Sequence, residues 1–260
     1  MHVYIYDNFL SQKKYESVLA RIETRTTDLG LNGKIVRLGV MHSLADAVAN
    51  EIKKGAKTIT AVGQNELFHK IVNVFARLGR QNVMINNVPL GFIPVGRKNG
   101  SLAAFFGIEP DENACDILSA RRIERLDLGR INDHYFLAEA KIASRGTKIE
   151  IDGDYSIEIM GGGEISVINL PVETVLPKSV KTNGQDGQLE LYIRADRPKK
   201  LLPLKFRPDN PSVLPFNKII ITNSLNEPVT IDGSASVATP VEITLAKEKI
   251  NVIVGKGRRF

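Results

Sequence analysis

The stretch AVGQNELFHKIVN, residues 61–73, decides how the first half of this sequence folds. Before it, GAKTIT reads as the approach to a buried strand; after it, VFARLG completes a helix. The predicted unit is strand, turn, helix, with Gly63 at the joint. Such joints are where α/β proteins hold phosphate, because the first N–H groups of the helix are unpaired and point outward. They normally carry several glycines. Here Gly63 is followed by Gln64, Asn65, Glu66 and Leu67.

Outward from this joint the pattern repeats. HVYIY and KIVRLG read as strands. SQKKYESVLARIETRTTDLG places Tyr15, Val18, Leu19 and Ile22 at helical spacing, with Ser11 as the expected N-cap and Gly30 as the stop. SLADAVANEIKKG is a helix ended by Gly55; VMINN and PLGFIPVG are strand-like; SLAAFFG and DENACDILSARR are helical. Strands separated by helices of this length predict a mostly parallel sheet. After about Leu128 the character changes. YFLAEAKIA, TKIEIDG, YSIEIMG, EISVINL, LELYIRA, LPLKFRP, KIIITN, PVTIDG, PVEITLA and INVIVG are short β runs divided by turn residues. That pattern predicts a sandwich or a curled antiparallel sheet.

Composition narrows the class. At 260 residues, 43% apolar and 25% charged, the chain is globular rather than disordered. No apolar run approaches the length of a membrane span, and MHVYIYDNFL lacks the basic region of a signal peptide. A single cysteine, Cys115, excludes an internal disulfide and fits a reducing compartment, so a cytoplasmic location is expected. Cys115 itself falls at an apolar helical position and reads as core. The net charge of +6 points to anionic partners, but Lys and Arg interleave with Asp and Glu except at the terminal KGRRF. The absence of tryptophan and the low aromatic content argue against a nucleic-acid stacking surface. His2, His42, His69 and His134 have no zinc spacing, and no nucleophile elbow is present. MGGGE at 160–164 lies between β runs and reads as a wide turn.

PLGFIPVGRKNGSLAAFFGI, then ILSARRIERLDLGRIN, then YFLAEAKIA, together resemble the diacylglycerol kinase catalytic family. That family includes bacterial lipid kinases and sphingosine kinases and is related to NAD kinases. Leu90-Gly91, Ile93-Pro94, Gly96, Asn99, Ala103, Gly107-Ile108 and Asp127-Leu128-Gly129 match its elements in order and spacing. ISVIN, DGQLELYI and VTIDG fall where its β domain has similar pieces. The resemblance implies that Gly63, Gln64, Asn65 and the loop of Gly96, Arg97, Lys98 and Asn99 hold nucleotide. It implies Asp232 as the base that deprotonates the acceptor hydroxyl, and Asp186 as a Mg²⁺ ligand.

Departures from the family are concentrated in these loops. Its Gly-Gly-Asp-Gly-Thr turn is Gly63-Gln64-Asn65-Glu66-Leu67 here, losing glycine freedom and gaining a negative charge. Its Asn-Pro-x-Ser-Gly turn is Asp7-Asn8-Phe9-Leu10-Ser11. Its Gly-Thr-x-Asn-Asp loop carries Arg97 and Lys98 and ends in Gly100. Its Asp-Gly-Glu is Asp232-Gly233-Ser234. Ala138-Glu139-Ala140-Lys141 replaces an Asn-Val-Ala-Gly-type turn, and there is no room for the helical segments that help form a lipid cleft.

The expected fold is therefore α/β + β: a Rossmann-like α/β N-terminal domain over 1–126, and a C-terminal antiparallel β-sandwich domain over 127–260 whose last strand is free to return to the first. By resemblance the function is ATP-dependent phosphorylation of a lipid or related hydroxyl, with ATP and Mg²⁺ as cofactors. The alternative is a pseudokinase that binds another ligand or a protein partner, and an NAD kinase is the weaker third reading. The expected partners are a nucleotide or other anionic small molecule, a peripheral membrane lipid and a second copy of the chain, with no nucleic acid.

Overall fold

The computed structural model describes residues 1–38, 43–81, 85, 87–96, 101–159, 161–177, 180, 182–196 and 211–260, the side chains of Ser101 and Ala195 excepted. Arg97, Lys98 and Asn99, the run LPLKFRP and most of VMINN lie outside the described residues. The chain divides into two compact units, Met1–Leu126 with Glu248–Phe260, and Asp127–Lys247.

The first unit contains β1 (His2–Tyr6), α1 (Glu16–Asp28), β2 (Gly33–Arg37), α2 (Leu44–Lys53), β3 (Thr58–Gly63), α3 (Asn65–Arg80), β4 (Leu90–Pro94), α4 (Ser101–Phe105), α5 (Ala114–Ala120), β5 (Ile123–Leu126) and the last strand of the chain, β18 (Ile250–Ile253). The sheet order is β2-β1-β3-β4-β18-β5. All pairs are parallel except β18 with β5. INVIVG therefore pairs in this sheet and not in the sandwich. β3 is buried at every residue, as a central strand covered on both faces must be. α3 buries Leu67, Phe68, Ile71, Val72, Phe75 and Ala76, one face at helical spacing. Phe68 packs against Phe92 and Phe106, with ring centroids 5.1 and 6.0 Å away.

α1 ends where Gly30 predicts. Gly30 takes φ +67°, and the N–H groups of Gly30 and Leu31 donate to Thr27 and Thr26 carbonyls, closing the helix with a left-handed glycine. Its start differs from the expectation. Ser11 is not its N-cap: 3₁₀ turns at Asn8–Ser11 and Lys13–Tyr15 intervene, and α1 begins at Glu16. The Ser11 hydroxyl is used locally, donating to Asn8 O at 2.8 Å.

Among its described residues the second unit has only strands as regular elements: β6 (Gly129–Ile131), β7 (His134–Phe136), β8 (Glu139–Ala143), β9 (Thr147–Ile151), β10 (Tyr155–Ile159), β11 (Gly163–Ile168), β12 (Leu189–Ala195), β13 (Ser212–Phe216), β14 (Lys218–Asn223), β15 (Val229–Ile231), β16 (Ala235–Val237) and β17 (Val241–Leu245). They form two six-stranded antiparallel sheets, β10-β9-β14-β17-β6-β7 and β13-β12-β11-β8-β15-β16. One apolar cluster joins them. Ile149, Ile219 and Ile243 come from the first sheet; Val167, Leu191 and Val229 come from the second. β9 shows the alternation this requires, burying Thr147, Ile149 and Ile151 and exposing Lys148 and Glu150. The run YFLAEAKIA breaks into β7 and β8, with Leu137 and Ala138 between them.

Candidate functional site

In the first unit, β2 and β3 flank β1 on opposite sides, so the strand order reverses between β1 and β3. Open α/β sheets bind ligands at such a switch point, beyond the carboxyl ends of the strands. The residues there are Asp7, which follows β1, and Gly63 with Gln64, which close β3. The strand ends are stitched by Asp7 N–H to Val62 O at 2.9 Å and Val95 N–H to Gly63 O at 2.9 Å.

Gly63 is obligatory for two reasons. Its φ of +148° disfavours L side chains, and a Cβ on it would lie 2.5 Å from the Asp7 Cβ and 3.1 Å from Asp7 Oδ2. The Asp7 carboxylate thus lies directly against the glycine. The backbone N–H groups of Asn8 and Gln64 lie beside it and favour its charged form. Gln64 is the N-cap residue of α3, and its N–H is among the donors a phosphate would use. Burial pushes the Asp7 carboxyl above its ordinary range. The Asn8 and Gln64 N–H groups and Lys70 oppose that shift, and Glu66 adds to it. The Gln64 side chain does not cap the helix. Asn65 Oδ1 is buried without a donor. Gly96, at φ +100°, lies close by: a Cβ there would be 3.6 Å from Gln64 Nε2 and 3.8 Å from the Phe9 ring. Gly63, Gln64, Asn65 and Gly96 are thus brought to one edge, around a carboxylate belonging to the chain itself.

In the second unit, Asp232 sits in the turn between β15 and β16 at φ +48°. Its Oδ2 accepts from Leu137 N–H at 2.9 Å, and its Oδ1 from Ala138 and Glu139 N–H at 2.8 and 3.1 Å. The carboxylate ties down the β7–β8 turn. Asn169 holds the same turn from another side, its amide donating to Leu137 O at 2.7 Å and Asp127 O at 2.9 Å. Asp127 Oδ2 accepts Gly187 N–H at 2.8 Å, which fixes the turn that carries Asp186. A hydrogen-bonded chain therefore runs from the Asp186 turn through Asp127, Asn169 and Leu137 to Asp232. Gly129, the glycine of the Asp127-Leu128-Gly129 motif, has a packing role: a Cβ there would lie 2.0 Å from the Phe136 ring.

Asp186 Oδ1 accepts Gln188 N–H at 3.0 Å, closing its own turn. Its acidic neighbour is Glu190 on β12, 7% exposed, whose carboxyl is pushed up to about 7 by burial first and by the Asp186 charge second. Among the described residues no three potential metal-ligating side chains gather, so Asp186 and Glu190 do not by themselves make a cation cage. Glu139 is buried at 3% and saturated: Oε1 accepts Glu173 and Thr174 N–H, and Oε2 accepts the Thr174 hydroxyl and faces Lys141 Nζ at 3.2 Å. Cys115 is fully buried and its thiol is pushed up to about 12 by burial, which leaves it inert. No helix among the described residues is long and apolar enough to cross a membrane.

Asn169 and Glu190 carry no motif that assigns them to a site, and Asp7 is legible only as a departure from the family's Asn-Pro-x-Ser-Gly turn. Asp7 follows its strand as Gln64 follows another, but only the strand order makes the two neighbours. Glu190 occupies an outward slot of LELYI and looks solvated in one dimension.

Residues 3–131 match the diacylglycerol kinase catalytic domain family, and that part of the chain belongs to it. Among solved structures, a diacylglycerol kinase from Bacillus anthracis str. Sterne superposes with a TM-score of 0.71 at 16% identity, over 99% of this chain and 97% of that one. Two further structures from the same organism, bearing the same family designation, give TM-scores of 0.75 and 0.73 at 16% identity. They cover 99% and 98% of this chain, and 98% and 97% of their own. This likeness establishes the fold. No curated protein sequence matches the chain.

Proposed function

We propose that the protein is a lipid-kinase-like pseudokinase. It keeps the family fold and does not use the β1/β3 switch point to transfer phosphate from ATP. The observation that carries this reading is the Asp7 carboxylate, which lies against Gly63 beside the Gln64 N–H. A nucleotide phosphate approaching the same donors meets that carboxylate and has Glu66 nearby. At about 4 Å and an effective dielectric near 20, one such charge pair costs about 4 kcal/mol. The chemistry of the residues present therefore does not fit a triphosphate at this edge. Asp232 supports the same reading, because three backbone N–H groups engage the carboxylate that would act as base.

The family match favours the second reading, an ATP- and Mg²⁺-dependent lipid kinase with Gly63, Gln64, Asn65 and the 96–99 loop on nucleotide, Asp232 as base and Asp186 on the metal. Isothermal titration with Mg·ATP and ³¹P detection of transfer to diacylglycerol vesicles separate the two. Absence of both binding and turnover is expected. ATP binding with turnover that Asp232→Asn abolishes overturns the pseudokinase reading.

A further inference from the structure

A second site lies along the same sheet edge, at the carboxyl end of β18. In the order β3-β4-β18 it is two strands from Gly63, roughly 10 Å at the usual strand spacing. A cavity of about 610 Å³ opens there, within the range of small-molecule sites. Its apolar wall includes Ile108, Pro110, Ile117, Ala120 and Val254. Its floor exists because two backbones touch: a Cβ on Gly255 would lie 1.9 Å from Gly107 O, and one on Gly107 would lie 2.7 Å from Arg258 N. The floor is also fixed in place, with Gly255 N–H donating to Phe106 O at 2.9 Å and Val254 N–H to Arg122 O at 2.9 Å. A cavity walled by hydrogen-bonded backbone is preformed, so a ligand does not meet the cost of ordering it.

The cations near it differ in what they hold. Arg21, Arg25 and Arg258 each hold a carboxylate, on Glu112, Asp116 and Glu124. Arg122 and Lys256, which line the cavity, hold none among the described residues; Glu109 is the single acid on the lining. A half-open apolar pocket with two exposed cations and one exposed acid on its lining complements a ligand with an apolar body and one anionic head. We propose that this cavity binds a small amphiphilic anion of the carboxylate class, its apolar part against Ile108 and Ile117 and its head between Arg122 and Lys256. The site is independent of phosphate transfer.

Octanoate is the probe. Titrated calorimetrically into the full chain, it is expected to bind one to one, at least tenfold tighter than octan-1-ol, with acetate giving no heat. Replacing both cations (Arg122→Gln with Lys256→Gln) should weaken octanoate tenfold or more and leave octan-1-ol unchanged. Ala120→Phe should abolish binding of both. Ala104→Phe, which fills the cavity from α4 instead of α5, gives the same result if Ala120→Phe lowers the unfolding midpoint. Absence of octanoate binding, equal affinity for the alcohol, or binding that survives both fillings overturns the proposal. Turnover of ATP by the same preparation would overturn the pseudokinase reading and leave this site untouched.

Discussion

The two carboxylates at family positions, Asp7 in the first unit and Asp232 in the second, both lie beside backbone N–H groups, but on different terms. Asp232 receives three donors from one turn. Asp7 has the Asn8 and Gln64 N–H groups beside it, and is desolvated enough that its carboxyl is pushed up. The first is a brace that the surrounding backbone depends on. The second is a charge in a place that would be easier to leave neutral. A carboxylate near a glycine turn is therefore not one kind of feature: the number of donors it satisfies, set against the water it loses, decides whether it stabilises the fold.

That contrast breaks most readily at Asp232. Asp232→Ala orphans the Leu137, Ala138 and Glu139 N–H groups and places a Cβ-only residue at φ +48°. The expected loss is about 4 kcal/mol in urea unfolding, from partly buried donors left without acceptors. Asp232→Asn keeps the oxygen that accepts two of them and should lose about half as much. A loss below about 1 kcal/mol in the alanine variant would show that the brace is not what orders the turn.

Glu190 tests the desolvation side of the comparison. Its folded carboxyl titrates near 7 and its unfolded one near 4.5, so the folded state holds its proton longer. Stability therefore falls as pH rises from about 4.5 to about 7 and is level above. Glu190→Gln removes that fall and should raise stability at pH 8 by up to about 3 kcal/mol, with little change at pH 4. Denaturation of both proteins across this range measures it; parallel curves would exclude Glu190 as the source.

How much of this was legible in one dimension differs between the units for physical reasons. The fold class follows from pattern: β3, TITAVG, carries no charged residue and stands between two helix patterns, and β9 alternates, so each strand announces which faces are covered. The return of INVIVG to the first sheet does not follow, because an apolar strand of that length fits a sheet of either unit. Gly63 was legible as special, whereas its cause, the Asp7 side chain at 2.5 Å from where a Cβ would stand, depends on a pairing 56 residues apart, recorded in the β1–β3 register. Motifs mark positions along a chain; donors and desolvation are properties of a place.

Gly63→Ala measures that place directly. The new Cβ meets Asp7 and a left-handed φ together, and about 2 kcal/mol should be lost. In an Asp7→Gly background the contact is gone and only the backbone term remains, so the pair should couple by about 1 kcal/mol. Additive effects would mean that the two residues do not press on each other.

The smallest effect on stability carries the largest consequence for function. Because burial raises the folded Asp7 carboxyl above its unfolded value, the native state binds its proton more readily. The ionised group then lowers stability as pH rises through that interval. Asp7→Asn should stabilise the protein slightly at pH 7, by less than about 1 kcal/mol, and leave it unchanged at pH 3. The substitution also takes a negative charge away from the Gln64 N–H. If that charge is what keeps phosphate from the switch point, pyrophosphate should bind Asp7→Asn at least tenfold more tightly than it binds the wild type, and the gain should shrink with added salt. Glu66→Gln, which removes the other nearby charge but not the group against Gly63, should give a smaller gain. If Asp7→Asn leaves pyrophosphate affinity unchanged, the obstacle lies in the missing glycines rather than in the carboxylate, because the backbone of Gln64 and Asn65 would then be unable to turn its N–H groups toward an anion at all.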